Sequence, residues 1–338
     1  MSRQSFLLLL LLVLVLSLLW MGPKRQPACN GGELPCEADS QTLEDYGDMC
    51  RQAIADVPSF SCLDGAIIPI TVNGKVPAEY RPNMDCDWPP LLPLGEEGRP
   101  GEQGQCIPFT RVLNFSQGER QIVAACRQKI IRSAESVSFD EIDIIAHNAL
   151  DGSTCWFQAK GTNDQPLDGS KVPSPTAAVA PPGYPGRSGF WRSPAAVAGD
   201  NCGLCHDNDP FMYSPYIGQL WNRLPTNPLG YYRHLGQDFA HWPTESLSTA
   251  NNACVGCHRI GVAFTSGLGT KQAVGMAQID NADARAQRYP QSHWMPPGNF
   301  HSARQWQTIY RQSVEELIAC NKNLQLPNCI VTPIPSLR

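Results

Sequence analysis

Hydrophobic and polar positions follow several distinct patterns along the chain. Residues 6–19 form an almost unbroken run of leucine and valine. Residues 66–72 are mostly apolar and are followed by Asn73 and Gly74, which predicts a strand that ends in a tight turn. Residues 155–157 combine a cysteine with two aromatic side chains, and we expect a buried strand there.

Two segments in the first half of the chain have the spacing of amphipathic helices. The segment 117–133 begins with a capping box formed by Ser116 and Glu119, which would satisfy backbone donors of the first turn. Its apolar face would consist of Ile122, Val123, Cys126 and Ile130. A shorter segment, 138–145, begins with a second capping pair, Ser138 and Glu141. The pattern therefore predicts a helix over each segment.

A further helix is predicted near the end of the chain, over 303–320. Ser302 and Gln305 form a capping pair where this helix begins. Its apolar face would consist of Trp306, Ile309, Tyr310, Leu317 and Ile318. Proline, glycine and alanine dominate 161–200 instead, which is typical of a linker.

These patterns predict an α+β protein in four parts. Residues 1–22 are a signal peptide or an N-terminal anchor, and residues 30–160 are a disulfide-rich domain of mixed α and β structure. A linker rich in proline, glycine and alanine follows over 161–200. Residues 201–338 are predicted to form a mostly α-helical domain.

The N-terminal segment bears on the compartment. Arg3 precedes the apolar run, which is shorter than the roughly 20 residues that a membrane-spanning helix needs. We therefore expect a secretory signal peptide and an exported protein. Because no small-residue cleavage signature follows the run, an uncleaved membrane anchor is the alternative.

Composition narrows the function further. The 338 residues are 42% hydrophobic, which is enough for a folded core, and the formal net charge of -5 excludes the basic face of a nucleic-acid binder. Fourteen cysteines in an exported chain predict disulfides. The pair that we expect is Cys320 and Cys329, which bracket a short loop after the last predicted helix.

Two copies of the pattern C-x-x-C-H lie in the last part of the chain. They consist of Cys202, Cys205 and His206, and of Cys254, Cys257 and His258. Two thiols at this spacing can both form thioethers with one haem edge, and the adjacent histidine then reaches the iron.

Other uses of paired cysteines fit this pattern less well. Zinc sites place their two cysteine pairs about 15–20 residues apart, whereas 48 residues separate Cys205 from Cys254. A thioredoxin-like pair would occur once, and plain disulfides give no reason for a histidine after each pair. The repeat therefore predicts two covalently attached c-type haems as cofactors.

The segment 250–320 resembles the class I cytochromes c, in which C-x-x-C-H is followed by a Met-Pro segment and a final helix. Here Met295 precedes Pro296 and lies 38 residues after Cys257. The resemblance implies that Met295 is the sixth iron ligand of the second haem, with His293 as the alternative. Residues 205–211 and 257–261 also resemble secreted bacterial dihaem cytochromes with a cysteine-rich N-terminal region, which implies a periplasmic or extracellular protein.

The sixth ligand of the first haem has several candidates. His241 and His234 both lie between the two motifs, and Met212 is a third option. We favour His241 and keep His234 as its alternative. His147 and His301 are expected to have structural roles.

The motifs predict electron transfer by two c-type haems, with a redox partner protein or other haems as partners. The alternative is a dihaem oxidoreductase such as a peroxidase, with one iron left open, although the motifs of dihaem peroxidases lie much further apart. A third hypothesis is a binding module over 30–160 with the haem part as its electron port. No nucleic-acid partner and no catalytic side chain are predicted, and membrane contact would come only from an N-terminal anchor.

Overall fold

A six-stranded sheet lies at the centre of the protein. The computed structural model describes residues 41–81, 84, 86–88, 106–162, 164–274, 295 and 302–337. In chain order, the described strands of all three sheets are β1 (Ala66–Ile67), β2 (Arg111–Asn114), β3 (Arg120–Arg127), β4 (Ser138–Phe139), β5 (Glu141–Asn148), β6 (Ser153–Lys160), β7 (Leu167–Asp168), β8 (Arg233–His234), β9 (Glu245–Thr249) and β10 (Cys329–Pro333).

The central sheet has the strand order β1-β2-β3-β5-β6-β8. Its neighbouring strands are antiparallel except for β6 and β8, which are parallel. Two smaller antiparallel sheets pair β4 with β7 and β9 with β10. Because β8 joins β6 at its edge, the sheet brings residues near 155 close to residues near 234.

The helices predicted over 117–133 and 138–145 are wrong, because these segments form β3, β4 and most of β5. Gly118 has a φ of 57° and lies in the tight turn that joins β2 to β3. The Ser116 hydroxyl accepts a hydrogen bond from the Ile122 amide at 3.0 Å, across this turn, and caps no helix. Val123 of β3 faces Ile145 of β5 across the sheet, and such β-branched side chains pack better in a sheet than on a helix.

Other local predictions are confirmed. Asn73 and Gly74 have φ angles of 52° and 73°, as a tight turn requires. The strand before them is shorter than predicted and covers only β1. Residues 155–157 lie in β6, and all three are buried.

The helices are α1 (Leu43–Ala53), α2 (Arg187–Phe190), α3 (Pro194–Gly199), α4 (Pro215–Gly218), α5 (Thr270–Gln272) and α6 (Ala303–Lys322). The helix predicted over 303–320 is therefore confirmed as α6. The Ser302 hydroxyl caps α6 by accepting from the Gln305 amide at 3.3 Å. Ile309, which was expected on the buried face, is 53% exposed.

The protein is thus a mixed α+β structure, but the described part of 201–338 does not form the mostly helical domain that was predicted. Strands β8, β9 and β10 lie in this region, together with short 3-10 turns and two very short helices. Prolines recur between 210 and 243 and break helical hydrogen bonding. Only α6 is long.

Four disulfides staple the described residues: Cys50–Cys155, Cys62–Cys126, Cys86–Cys106 and Cys320–Cys329. The last of these confirms the predicted pair, and it ties the end of α6 to β10. Their presence is typical of a protein that folds in an oxidising compartment. Among the described residues, no helix is both long enough and apolar enough to cross a bilayer. The predicted segment 1–22 lies outside the described residues.

The largest hydrophobic core packs one face of the central sheet against α1 and against later parts of the chain. Trp191, Tyr232 and Trp242 are buried in this core beside Tyr46 of α1 and Phe157 of β6. Within Ser40–Arg338, the described residues form one compact unit. The domain boundaries that were placed from composition at 160 and 200 stay a prediction.

Candidate haem-attachment sites

The first C-x-x-C-H motif forms a single 3-10 turn directly after α3. The turn covers Cys202–Leu204, and the amides of Cys205 and His206 both donate to the Cys202 carbonyl, at 3.0 and 2.9 Å. Gly203 packs face-on against Trp242, since a Cβ atom there would lie 2.4 Å from Trp242 Cδ2. The turn is therefore fixed against the core by its own backbone.

The second motif forms a similar turn over Cys254–Gly256. Its entry is fastened to α6, because the Ala253 amide donates to the Ser313 hydroxyl at 2.9 Å. Asn252 strengthens this attachment: its side-chain amide donates to the Ser313 carbonyl at 3.1 Å, and its Oδ1 accepts from the Cys254 amide at 3.0 Å. The final helix thus positions the second turn.

The four motif cysteines differ from the other cysteines that the structure describes. Cys202, Cys205, Cys254 and Cys257 carry free thiols, whereas the remaining described cysteines are all in disulfides. Burial raises the pKa of the Cys202 thiol to about 12 and that of Cys205 to about 11. Within the described ranges, no three potential metal-ligating side chains converge on one point.

The two motif histidines hold the same tautomer. His206 Nδ1 lies 2.9 Å from the Pro210 carbonyl oxygen, and His258 Nδ1 lies 2.8 Å from the Arg259 carbonyl oxygen. A carbonyl oxygen only accepts, so each Nδ1 must carry a proton, and in a neutral ring the lone pair is then on Nε2. Burial also lowers the pKa of His206 to about 4, which keeps this ring neutral and able to bind a metal.

Aromatic side chains surround the first histidine. The Trp156 ring lies edge-on to His206, with 4.9 Å between ring centroids, and also contacts Trp242 at 5.4 Å. The Tyr232 hydroxyl donates to the His206 carbonyl at 2.7 Å. This apolar wall belongs to the main core, so the first turn lies at the edge of the central sheet.

The proposed sixth ligands of the first haem have different surroundings. His241 is exposed to solvent. His234 is mostly buried, and its Nδ1 accepts from Trp156 Nε1 at 3.1 Å, while Nε2 lies 3.4 Å from the Pro243 carbonyl. Both ring nitrogens of His234 are therefore engaged. Met212 is partly buried.

Met295 lies beside α6. Its amide donates to the Ala273 carbonyl at 3.0 Å, and its own carbonyl accepts from Trp306 Nε1 at 2.7 Å. Trp306 belongs to a small core against which Cys254 packs, so the Met295 backbone is held near the second turn. The Met295 side chain is 40% exposed. His293 and His301 lie outside the described residues.

His147 is buried among aromatic side chains. Its Nδ1 lies 2.9 Å from the Thr154 hydroxyl, and its ring meets Phe211 and Tyr232 edge-on. These contacts are those of a packed core residue.

Polar residues directly after each motif join the two turns through hydrogen bonds that the motif spacing alone does not predict. The Asp207 carboxylate accepts from the Ala263 amide at 2.8 Å, and Asn208 Nδ2 donates to the Arg259 carbonyl at 2.6 Å. The Phe264 amide also donates to a carbonyl inside the first turn, that of Leu204, at 3.1 Å. The turns Cys202–Leu204 and Cys254–Gly256, the two candidate attachment turns, are therefore neighbours in space.

The donor set of each turn, two free thiols and one imidazole whose Nδ1 bonds a backbone carbonyl, is the set that covalent haem attachment uses. Comparison of the sequence with protein-family models, curated proteins and solved structures finds no match.

Proposed function

We propose that the protein transfers electrons through two covalently bound c-type haems. Cys202 and Cys205 would hold the first haem, with His206 as the iron ligand. Cys254, Cys257 and His258 would hold the second in the same way. A bound c-type haem supplies one-electron exchange between ferrous and ferric iron.

The observation that carries the proposal is that both motifs have free thiols and a histidine that is hydrogen-bonded through Nδ1. In both, the thiols are free while the other described cysteines are paired, and the histidine donates from Nδ1 to a backbone carbonyl. Such a hydrogen bond orients the ring and raises its basicity as a ligand, as metal-bound histidines require.

Because the two turns are neighbours, they support a relay, in which the two haems exchange electrons, rather than two haems that act independently. Because buried hydrogen bonds join Asp207 and Asn208 to the segment after His258, haems on the two turns would lie close together. For the second haem we propose Met295 as the sixth ligand, since its backbone is fixed beside the helix that carries the second turn. A methionine and histidine pair favours a higher potential than two histidines, which would give electron flow a direction.

The disulfides support an exported protein, periplasmic or extracellular, with residues 1–22 as its signal peptide or anchor. A redox protein would be its partner. The test is expression in a host that attaches c-type haem, followed by redox titration and EPR of the purified protein. Two low-spin haems with separate midpoint potentials support the relay.

One observation favours an enzyme as the second candidate. Among the described residues, His234 has both ring nitrogens engaged and His241 is exposed, so neither is poised as a sixth ligand of the first haem. An open iron there would permit peroxidase-type chemistry. A high-spin EPR signal that cyanide abolishes would support this reading, and two low-spin signals that cyanide leaves unchanged would exclude it.

A further inference from the structure

The two attachment turns share a single hydrogen-bond acceptor. The Arg259 carbonyl oxygen accepts from His258 Nδ1 at 2.8 Å and from Asn208 Nδ2 at 2.6 Å. His258 belongs to the second motif, whereas Asn208 lies two residues after the histidine of the first. One backbone oxygen therefore touches both sites.

This contact is built into the fold. Asn208 is 3% exposed and Arg259 is 9% exposed, and Arg259 Nε donates back to the Asn208 carbonyl at 3.1 Å. Gly261 permits the close approach, because a Cβ there would lie 2.0 Å from the Asp207 carboxyl carbon. Buried polar networks of this kind hold one geometry.

We propose that Asn208 is a positioning residue for the second haem, although it follows the first motif. This inference rests on the proposed haem function. Two donors on one carbonyl oxygen compete for its electron density. Asn208 thereby weakens the hydrogen bond from His258 Nδ1 and limits the electron density that the imidazole passes to the iron.

Removal of the Asn208 donor has a predicted direction. The Arg259 carbonyl would then bind His258 Nδ1 more strongly, and a more electron-rich imidazole favours ferric iron. We expect the equilibrium constant for reduction of the second haem to fall by roughly tenfold, which is about 59 mV for a one-electron couple. The first haem should keep its potential, since His206 bonds the Pro210 carbonyl whereas Asn208 donates to the Arg259 carbonyl.

The test compares Asn208→Leu, which keeps the side-chain shape, with Asn208→Ala, by redox titration of the haem-loaded protein. A Cys257→Ala background labels the second haem, because the vinyl group left unreacted moves its absorption band to the red. The control is Thr270→Val, which removes the buried bond from the Thr270 hydroxyl to the Thr265 carbonyl but leaves the Asn208 side chain and the Arg259 carbonyl in place. We expect both Asn208 variants to lower the potential of the labelled haem relative to the Cys257→Ala parent. The control should leave that potential unchanged.

Equal shifts at both haems, a shift at the first haem alone, or no shift would overturn the inference. If neither Asn208 variant attaches both haems, mass spectrometry of the haem peptides decides instead. Loss at Cys254 and Cys257 supports a role toward the second site, and loss at Cys202 and Cys205 contradicts it. A wild-type protein without haem would refute the proposed function itself, which keeps the two failures distinct.

Discussion

Gly203, inside the first motif, has no room for a side chain. A methyl group would lie 2.4 Å from Trp242 Cδ2. We expect Gly203→Ala to lower the free energy of unfolding by about 1–3 kcal/mol, because the indole or the turn must move. Urea unfolding of the purified protein measures this, and haem-peptide analysis should show less haem on Cys202 and Cys205.

The second motif offers a matched control at Gly256. A Cβ there meets nothing within 4 Å, so Gly256→Ala should leave both stability and haem content unchanged. Equal losses in the two variants would show that contact with Trp242 is not the cause.

At the residue scale, spacing in the sequence was enough to find the six motif residues as candidates. It was not enough to find Asn208, Arg259 or Ser313. Polar residues of these types are common on surfaces, and nothing in a single sequence marks them as buried. Their roles follow from tertiary contacts between segments more than 50 residues apart.

Between β4 and β5, Asp140 forms a buried ion pair that should give the fold a pH dependence. Arg132 contacts both carboxylate oxygens, at 2.6 and 2.7 Å, and Asp140 is 4% exposed. Burial alone would raise the pKa of Asp140, but hydrogen bonds from Arg132 and from the Lys129 amide outweigh it and hold the pKa below 3.8.

A lowered native pKa means that the unfolded chain binds the proton more readily, so this stability is present above the usual carboxyl pKa and is lost as pH falls below it. Asp140→Asn leaves Arg132 without its partner and should cost about 3–5 kcal/mol at pH 7. Urea unfolding from pH 7 to about pH 3 measures this, and the gap to wild type should narrow in acid. A gap that stays constant over this range would contradict the assignment.

Ser313 on α6 should matter to the second turn. Ser313→Ala leaves the Ala253 amide without its 2.9 Å acceptor. We expect a loss of about 0.5–1.5 kcal/mol in unfolding free energy, together with lower haem content at Cys254 and Cys257. Ser246→Ala is the control, because Ser246 bonds Thr332 at an exposed position between β9 and β10. If Ser246→Ala costs as much as Ser313→Ala, the anchoring role of α6 is refuted.

Elements were predictable where a local signal and the tertiary structure agree. Ser302 caps α6 as its sequence indicated, and Asn73 and Gly74 form the expected turn. Ser116 and Glu119 mimic a helix cap, yet Gly118 adopts a left-handed turn and sheet pairing with β5 decides the outcome. A local sequence pattern does not include the stabilisation that comes from pairing with a strand that is distant in the sequence.

At the scale of the whole molecule, a chain of contacts connects the central sheet to both motif turns. It consists of the disulfides, the sheet itself and the polar contacts between the motifs. The Cys50–Cys155 and Cys62–Cys126 disulfides tie α1 and the segment before β1 to the sheet that supports Trp156. Trp156 in turn packs on His206, and Asn208 joins that turn to the second. The sheet and these contacts thus connect both turns, which suits the proposed electron transfer between two haems.

The most direct test is the haem content of the protein made in a host with c-type haem attachment. Intact mass spectrometry and a pyridine haemochrome assay should give two covalent haems per chain, and both should be absent when all four motif cysteines are replaced by alanine. A protein without haem, with Cys202–Cys205 and Cys254–Cys257 disulfides in its place, would contradict the account.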